Sequence, residues 1–390
     1  MIDRDLKPEL LKAAAAFPAV TLTGPRQSGK STICKQMFPK HLYVNLEPLD
    51  TRTLAMEDPR TFLGQFKGSA IIDEIQRCPE LLSYLQEIID NDQRPGRWIL
   101  TGSQNLSLLN SVSQSLAGRT AVINLLPLTY NEICRFGTPP QNLDDILLAG
   151  GYPRIYDQRV PVADWISSYI ALYIERDVRK LLNIGDLMAF QRFVQLCAGR
   201  TGQMLNLSSL AADASISQPT AKKWLSILEA SFIVFQLPSY AGNVRTRLVK
   251  MPKLHFYDTG LACWLLGVRT TEQLSTHPLR GAIFETWVVS EILKHRTNKA
   301  QRGGIFYYRD SHANEADMIV EAGGKIIVVE AKSGATFSPD MFKAAQACKR
   351  IVEKNANAEI RAIYGGNTTQ QVKGNQLISW ENIDSFDWIG

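Results

Sequence analysis

Short apolar runs alternate with helical patterns in the first third of the chain. Segments such as PELLSYLQEIID carry apolar residues at helical spacing. The runs between residue 19 and about residue 125 are AVTLTG, HLYVNLE, SAIIDE, RWILTGS and TAVINLLPL. Apolar strands that alternate with helices are typical of a mostly parallel sheet that is buried on both faces. This pattern predicts an α/β domain over residues 1–130.

The hydrophobic pattern becomes helical in the next segment and then changes again near the end of the chain. PLTYNEICRF and WISSYIALYIERDVRKLL flank a GGYP turn at residues 150–153, which predicts a helical region over residues 131–200. In the last part, a helix, AIFETWVVSEILKHR, precedes the strands GIFYYRD, EADMIVEA and KIIVVEAKS and a further helix. We therefore predict a smaller α/β domain over residues 261–390.

Residues 201–260 contain a helix-turn-helix pattern. The helix LSSLAADA is followed by Ser217, a suitable N-cap, and by a second helix with apolar residues on one face. FIVFQLP and the basic stretch VRTRLVKMPKLHFYD would complete a winged helix, and His255 and Asp258 at the end of this stretch are predicted to be structural. The predicted DNA-phosphate contacts are Lys222, Lys223, Arg245, Arg247 and Lys250. A packing or oligomerisation module with solvated basic residues is the alternative.

Composition adds little to this picture. The 390 residues are 45% hydrophobic and 21% charged, which is typical of globular domains. The net charge of +5 permits a polyanionic partner without requiring one. Six scattered cysteines form no CxxC pair, which favours a reducing compartment. Because the N-terminus does not resemble a signal peptide and no apolar run reaches the ~18 residues of a membrane span, we predict a cytoplasmic protein.

The segment GPRQSGKS matches the phosphate-binding pattern G-x-x-x-x-G-K-[ST] and directly follows a predicted strand. Gly24 and Gly29 let the loop direct successive N–H groups at phosphates, and the next helix adds its positive end. Lys30 would reach the β- and γ-phosphates of ATP, and the Ser31 hydroxyl would bind Mg²⁺. The predicted nucleotide contacts in this segment are Gly24, Pro25, Arg26, Gln27, Ser28, Gly29, Lys30, Ser31 and Thr32.

Two later segments would complete a nucleotide site. AIIDE ends in Asp73, which would hold Mg²⁺ through water, and Glu74, which would activate the attacking water. RWILTGSQN ends in Ser103 and Gln104, either of which would sense the γ-phosphate, although Thr101 and Ser103 are equally suitable caps of the next helix.

Arg119 follows a glycine in a predicted loop. It is a candidate for contact with the nucleotide, in its own chain or from a neighbouring subunit, where it would stabilise the transition-state charge. A solvated surface arginine is the alternative.

The last α/β segment brings together the residue types of a metal-dependent nuclease. VVEAKSG places Glu330 and Lys332 on one face of a strand, and EADMIV supplies Asp317. A hairpin through the EAGGK turn would set Asp317 beside this pair, and Glu285 on the preceding helix would join them. We predict Mg²⁺ ligands at Glu285, Asp317 and Glu330, with Lys332 as a catalytic group. A surface ion pair is the alternative.

Several motifs together resemble a family of bacterial and archaeal ATPases with an AAA-type module and a C-terminal domain of unknown function, number 4143. They are GPRQSGKST, AIIDEIQRCPELL, WILTGSQN, SLAGRTAVINLLPL, GGYP and YIERDV. The resemblance spans nearly the whole chain and implies ATP binding and hydrolysis with Mg²⁺. The C-terminal order of helix, strands and helix is similar to the PD-(D/E)XK nuclease fold, although Ala316 stands where the motif has proline.

These inferences lead to one main hypothesis and one alternative. The main hypothesis is a cytoplasmic AAA-type ATPase that acts on DNA as a homo-oligomer and carries a nuclease-like C-terminal domain. The alternative is an ATP-dependent regulatory switch that binds a protein partner and keeps the nuclease-like domain as an inactive scaffold.

Overall fold

A computed structural model describes residues 2–103, 112, 115–173, 186–240, 250–310, 314–352 and 357–390. These residues group into two compact units. The first unit comprises the residues up to Pro127, with Ala230–Phe232 and Thr297–Ala300; the second comprises Leu128–Glu229, Ile233–Arg296 and Gln301–Gly390. The domain borders predicted at residues 200 and 260 lie inside the second unit and stay predictions.

The first unit is built on a five-stranded parallel sheet. All five predicted strands are present, and their spatial order is β2-β3-β4-β1-β5. They are β1 (Ala19–Thr23), β2 (Leu42–Asn45), β3 (Ala70–Asp73), β4 (Trp98–Gly102) and β5 (Thr120–Asn124). The helices are α1 (Lys7–Ala16), α2 (Lys30–Met37), α3 (Leu49–Glu57), α4 (Pro59–Gly64) and α5 (Leu81–Asn91).

The inner strands β1, β3 and β4 are buried on both faces, which explains their apolar runs, whereas the edge strand β2 exposes Leu42 and Tyr43. Neighbouring residues of one strand enter different cores: Ile71 joins one core and Ile72 the other. The same alternation holds for Ile99 and Leu100 in β4. Because the strands are parallel, the residues that follow β1, β3 and β4 meet at one edge of the sheet, where the predicted nucleotide site lies.

Helices and a small antiparallel sheet begin the second unit. The sheet has three strands in the order β6-β8-β7: β6 (Gln203–Met204), β7 (Val234–Leu237) and β8 (Lys253–Phe256). The helices up to residue 198 are α6 (Tyr130–Cys134), α7 (Leu143–Ala149), α8 (Pro153–Asp157), α9 (Val162–Tyr169) and α10 (Leu187–Ala198). They are followed by α11 (Leu207–Asp213), α12 (Gln218–Ala230), α13 (Thr259–Leu265) and α14 (Thr271–Ser275).

The predicted helix-turn-helix elements are present as α11 and α12. The Ser217 hydroxyl accepts a hydrogen bond from the Thr220 amide at 3.2 Å, as expected of an N-cap. Trp224, Leu225 and Leu228 are buried on the inner face of α12. Most of the YIERDV motif, after Tyr173, lies outside the described residues.

A six-stranded mixed sheet completes the second unit, in the order β13-β14-β12-β11-β10-β9. The long helix α15 (Arg280–Asn298) precedes it, and α16 (Lys343–Val352) connects β11 to β12. The strands are β9 (Ile305–Arg309), β10 (Glu315–Ala322), β11 (Lys325–Lys332), β12 (Ala358–Tyr364), β13 (Gln370–Val372) and β14 (Asn375–Ser379). Strands β10 and β11 form the predicted hairpin, with Ala322 opposite Lys325 at the glycine turn. In the described part of the chain, no helix is long and apolar enough to cross a membrane.

Candidate nucleotide site and acidic cluster

The loop between β1 and α2 is fixed by close backbone packing. Gly24 has a φ of +150°, and a Cβ atom there would lie 2.1 Å from the carbonyl oxygen of Leu125. Only glycine fits this approach, because any side chain would collide with the backbone that follows β5. Gly29 precedes the first residue of α2 and has a φ of +96°. Because glycine has no side chain, it offers no side-chain acceptor to the first amide groups of the helix.

Arg4 supports the same loop, which the sequence did not indicate. Its side chain is buried and donates to the Ser28 carbonyl at 2.9 Å and to the Leu126 carbonyl at 2.8 Å. One guanidinium group therefore ties the phosphate loop to the segment after β5. Hydrogen bonds from a charged donor stabilise more than neutral ones, typically by about 1.5–3 kcal/mol.

Lys30 lies folded over the loop from which it comes. Its ammonium group donates to the carbonyl oxygens of Gly24 at 3.0 Å and of Pro25 at 2.7 Å. Burial lowers its pKa to about 8, although Glu74 and Asp73 oppose this change. An ammonium group held here without a full counter-charge is suited to receive a phosphate anion.

Asp73 collects three hydroxyl donors at the end of β3. Ser31 donates to it at 2.7 Å and Tyr43 at 2.5 Å, and Thr101 donates to its other oxygen. The carboxylate is buried, and the pKa of the Tyr43 hydroxyl is raised first by partial desolvation and then by its hydrogen bond to Asp73. The two predicted Mg²⁺-binding residues, Ser31 and Asp73, are thus in direct contact.

Glu74 follows Asp73 with a left-handed backbone, at a φ of 60°. Its carboxylate accepts hydrogen bonds from Gln76 and, at 3.3 Å, from Ser103. Gln76 also donates to the Ser103 hydroxyl at 3.1 Å, so the three side chains hold one another. Ser103 therefore faces the predicted base. Gln104, the other candidate from the same strand end, lies outside the described residues.

The residues of this edge fit a nucleotide phosphate and a magnesium ion. The Ser28 hydroxyl is buried and finds no hydrogen-bond partner among the described residues, in the middle of the phosphate loop. The same loop holds the ammonium group of Lys30 against its Gly24 and Pro25 carbonyls and leads directly into the first turn of α2. Ser31 and Asp73 supply the hydroxyl and carboxylate oxygens that Mg²⁺ prefers.

Arg119 does not lie at the phosphate loop of its own chain. Its carbonyl accepts a hydrogen bond from Ala19 at the start of β1, whereas the loop follows Thr23 at the opposite end of that strand. Its guanidinium pairs with Asp90 at 2.5 and 2.9 Å. The prediction of contact with the nucleotide in the same chain is therefore wrong, because the parallel sheet separates the two edges. Contact with a neighbouring copy in a homo-oligomer stays a prediction.

The basic residues of the helix-turn-helix segment are partly described. Lys222 and Lys223 are exposed on α12, and Lys250 is exposed just before β8. Arg245 and Arg247 lie outside the described residues. The exposed lysines are available to phosphates of a polyanion.

The hairpin of β10 and β11 brings the predicted acidic residues of the second unit together. The carboxylate of Asp317 accepts a hydrogen bond from the Ala331 amide at 2.8 Å, between Glu330 and Lys332. Lys332 donates to Glu330 at 2.5 Å. The other oxygen of Glu330 is buried and has no hydrogen-bond partner within the described ranges.

Lys253 on β8 is a member of this cluster that the sequence did not reveal. Its ammonium group lies 2.8 Å from Glu285 on α15 and 2.7 Å from Glu315 on β10. The structure thus pairs Glu285 with a lysine. The acidic cluster is defined here as Glu285, Glu315, Asp317 and Glu330 with Lys253 and Lys332.

Burial and mutual repulsion shift the protonation of this cluster. Burial, and then the charge of Asp317, raise the pKa values of Glu285 and of Glu330. Burial opposes the charged form of Lys253, but Glu285 and Asp317 more than compensate and raise its pKa. Because a raised pKa favours the neutral acid, protonation relieves part of the repulsion among these carboxyl groups.

The cluster fits one divalent ion better than the predicted set of three ligands. In the described part of the chain, no three acidic, histidine or cysteine side chains converge as a metal site. Glu285 is engaged by Lys253. The unpartnered oxygen of Glu330 and the adjacent Asp317 are the residues that fit a cation.

Comparison with protein families gives three matches along the chain. A family described as "AAA domain" matches residues 16–134, which contain the phosphate loop. "Domain of unknown function (DUF4143)" matches residues 280–383, which contain most of the acidic cluster. "Domain of unknown function (DUF8612)" matches residues 140–272 between them.

Individual relatives are similar over nearly the full length. Uncharacterized proteins of Mycobacterium bovis and Mycobacterium tuberculosis are each 30% identical to the chain, over 98% of this chain and 86% of theirs. Among solved structures, a Walker-type ATPase of Pyrococcus abyssi is 15% identical over 68% of this chain and 96% of its own, with a TM-score of 0.47.

Proposed function

The chain belongs to the family that joins an AAA domain to the C-terminal domain of unknown function 4143, and we propose that it hydrolyses ATP with Mg²⁺ in order to act on DNA. Its first unit has the α/β fold of a P-loop ATPase. The observation that carries the proposal is the contact between Ser31 and Asp73, beside Lys30 and Glu74. Together these four side chains supply a phosphate ligand, two oxygen ligands and a base.

The chain's own residues would divide the work of hydrolysis. The loop amides and Lys30 bind the phosphates and orient the terminal one. Glu74 accepts a proton from the attacking water, and Gln76 and Ser103 keep its carboxylate in place. Ser31 and Asp73 would hold Mg²⁺, which when bound offsets the negative charge of the phosphates.

Measurement of ATP binding by titration calorimetry tests the magnesium part of this proposal. We expect Mg²⁺ to tighten ATP binding by about tenfold or more, equal to ~1.4 kcal/mol. Ser31→Ala should lose this gain, whereas Ser83→Ala, at an exposed position on α5, should keep it. An undiminished effect of Mg²⁺ in Ser31→Ala would refute the assignment.

The exposed lysines of α12 support DNA as the partner. Lys222 and Lys223 follow the turn of a helix-turn-helix, a position that reaches phosphates or base edges in proteins with this motif. A labelled panel of duplexes, forks and junctions should bind with an affinity that falls steeply with salt. Joint replacement of these lysines by alanine should weaken binding. Lys40→Ala with Lys67→Ala removes the same charge from exposed sites of the first unit as a control. Absence of salt-sensitive binding across the panel would exclude DNA.

We also propose that the C-terminal sheet is nuclease-like. The order of α15, the β9–β11 meander, α16 and the parallel strand β12 supports this relation, as does the position of Asp317 beside Glu330 and Lys332. Asp317 and Glu330 would hold Mg²⁺, and Lys332 would orient water. DNA cleavage that requires Mg²⁺ and disappears in Lys332→Ala, with ATP turnover retained, is the expected result.

The pairing of Glu285 with Lys253 favours a second candidate, a protein-binding switch with an inactive nuclease-like scaffold. Because Lys253 pairs with Glu285, fewer carboxylate oxygens of the acidic cluster remain to bind a metal ion. Under this alternative, ATP turnover persists and no cleavage appears in either the unaltered protein or Lys332→Ala. The same assay therefore separates the two candidates.

A further inference from the structure

Lys253 occupies a position that metal ions often take in acidic sites. Its side chain is 3% exposed and its ammonium group bridges two carboxylates, at 2.8 Å from Glu285 and 2.7 Å from Glu315. The two acids come from different elements, α15 and β10, and the lysine comes from a third, β8. A buried lysine that is paired on both sides is a fixed counter-charge, because its release would leave the buried Glu285 without its ion-pair partner and Glu315 with only Arg309 at 3.8 Å.

The backbone around Lys253 is anchored on several sides. The Tyr307 hydroxyl on β9 donates to the Met251 carbonyl at 2.5 Å. Lys253 itself pairs with Leu237 across β7 and β8 and with Met204 across β6 and β8. Because a central strand of a sheet is held along both edges, the backbone of Lys253 is fixed beside the cluster.

The remaining charges of the cluster are unequal. Lys253 pairs with Glu285 and Glu315. Lys332 pairs with Glu330. Among the hydrogen bonds described for its side chain, Asp317 accepts only the one from the Ala331 amide. Arg309 also lies 3.8 Å from Glu315, so four ionised carboxylates face three basic side chains and leave a deficit of one positive charge. One divalent ion at Asp317 and Glu330 would remove that deficit.

We propose that Lys253 is a built-in cation of the acidic cluster, which neutralises Glu285 and Glu315 and leaves Asp317 and Glu330 as the ligands of a single divalent ion. Removal of the Lys253 charge converts Glu285 and Glu315 into a second cation site. Binding of the first ion, at Asp317 and Glu330, rests on the proposed function. The second site depends on Lys253 alone.

Titration calorimetry with Mn²⁺ on the full chain tests this inference. Each protein is nucleotide-free and carries Asp73→Asn, so that the phosphate loop does not contribute a metal ligand. The chain with Lys253 present should bind one Mn²⁺, and Glu330→Gln should weaken that binding by about tenfold or more. Glu285→Gln should change the affinity by less than about twofold, because Glu285 serves Lys253 and not the ion. A large loss of affinity in Glu285→Gln would overturn the proposal.

Lys253→Met should bind one Mn²⁺ more than the chain with Lys253. Without metal its Tm should fall by roughly 6–20 °C, since a buried ion pair has lost one partner, and Mn²⁺ should restore much of this loss. Lys325→Met is the control, because Lys325 lies on β11 outside the acidic cluster and pairs with Glu359 on β12. It should show neither effect. If Lys253→Met does not fold, Lys253→Met with Glu285→Gln should fold and bind the original number of ions.

The outcomes separate this inference from the proposed function. If the chain with Lys253 binds no Mn²⁺ but Lys253→Met binds one, the proposed ion site fails and the role of Lys253 holds. If Lys253→Met binds no more Mn²⁺ than its parent and Mn²⁺ does not restore its Tm, the built-in cation is refuted.

Discussion

Lys30 combines burial with a position on the phosphate loop, and this gives it a measurable pH dependence. Its folded pKa of about 8 lies below the ordinary value of 10.5 because burial disfavours the ammonium form. Phosphate binding favours that form, so ATP should bind with uptake of a proton at pH values near and above 8. We expect uptake of about 0.5 proton at pH 8 and weaker binding at higher pH.

Calorimetry of ATP binding in buffers of different ionisation enthalpy measures this uptake. Lys40→Met, at an exposed site in the same unit, should leave it unchanged. Equal heats in all buffers at pH 8 would mean that Lys30 is already fully protonated before the nucleotide binds.

Arg4 makes a second prediction for a single residue. Arg4→Met removes both hydrogen bonds to the loop and to the segment after β5, so the loop loses a fixed position before the nucleotide arrives. ATP affinity should fall by about tenfold, or ~1.4 kcal/mol. Lys7→Met, which removes an exposed charge paired with Asp3, is the matched control. Equal affinities in the two variants would show that Arg4 has no part in the site.

The strands of the first sheet and the turn of the β10–β11 hairpin are the elements that the sequence predicted best. The five apolar runs became the five strands of one parallel sheet, and the three inner strands show no polar alternation because both of their faces are buried. The EAGGK turn similarly predicted the hairpin that joins Asp317 to Glu330. In both cases the local sequence pattern was sufficient to predict the element, because residues adjacent in the sequence largely specify a strand or a tight turn.

Gly150 shows how a turn of the GGYP motif is fixed by a distant residue. Its φ is +68°, and a Cβ atom would lie 2.2 Å from the carboxylate of Asp258. That carboxylate cannot move away easily, because it accepts from the Gly151 amide at 2.7 Å and the Leu261 amide at 3.1 Å. Gly150→Ala should therefore cost about 3 kcal/mol or more in the free energy of unfolding.

Gly267→Ala is the control for this effect. Gly267 also has a positive φ, of +81°, but a Cβ atom there would meet nothing within 4 Å. Its cost should be limited to about 1–2 kcal/mol of backbone strain. Denaturant unfolding of the two variants measures the difference. Equal costs would show that Asp258 does not restrict the turn.

Contacts between distant segments set the limit of prediction for the whole chain. Arg4 and Lys253 lie in stretches whose local patterns show nothing unusual, and both acquire their roles through residues far away in the sequence. The opposite error concerned Arg119, whose glycine-containing loop resembled a functional one. Its position at the far edge of the sheet followed only from the strand order.

The central claim is that the phosphate loop and the Asp73–Glu74 pair form one hydrolytic site, and phosphate release from ATP measures it most directly. With Mg²⁺ present, the unaltered chain should turn over ATP. Lys30→Ala should lose turnover through weakened binding, and Glu74→Gln should bind ATP but hydrolyse it at least about a hundredfold more slowly. Glu80→Gln, at an exposed position nearby, should behave as the parent. Undiminished turnover in both Lys30→Ala and Glu74→Gln would contradict the account.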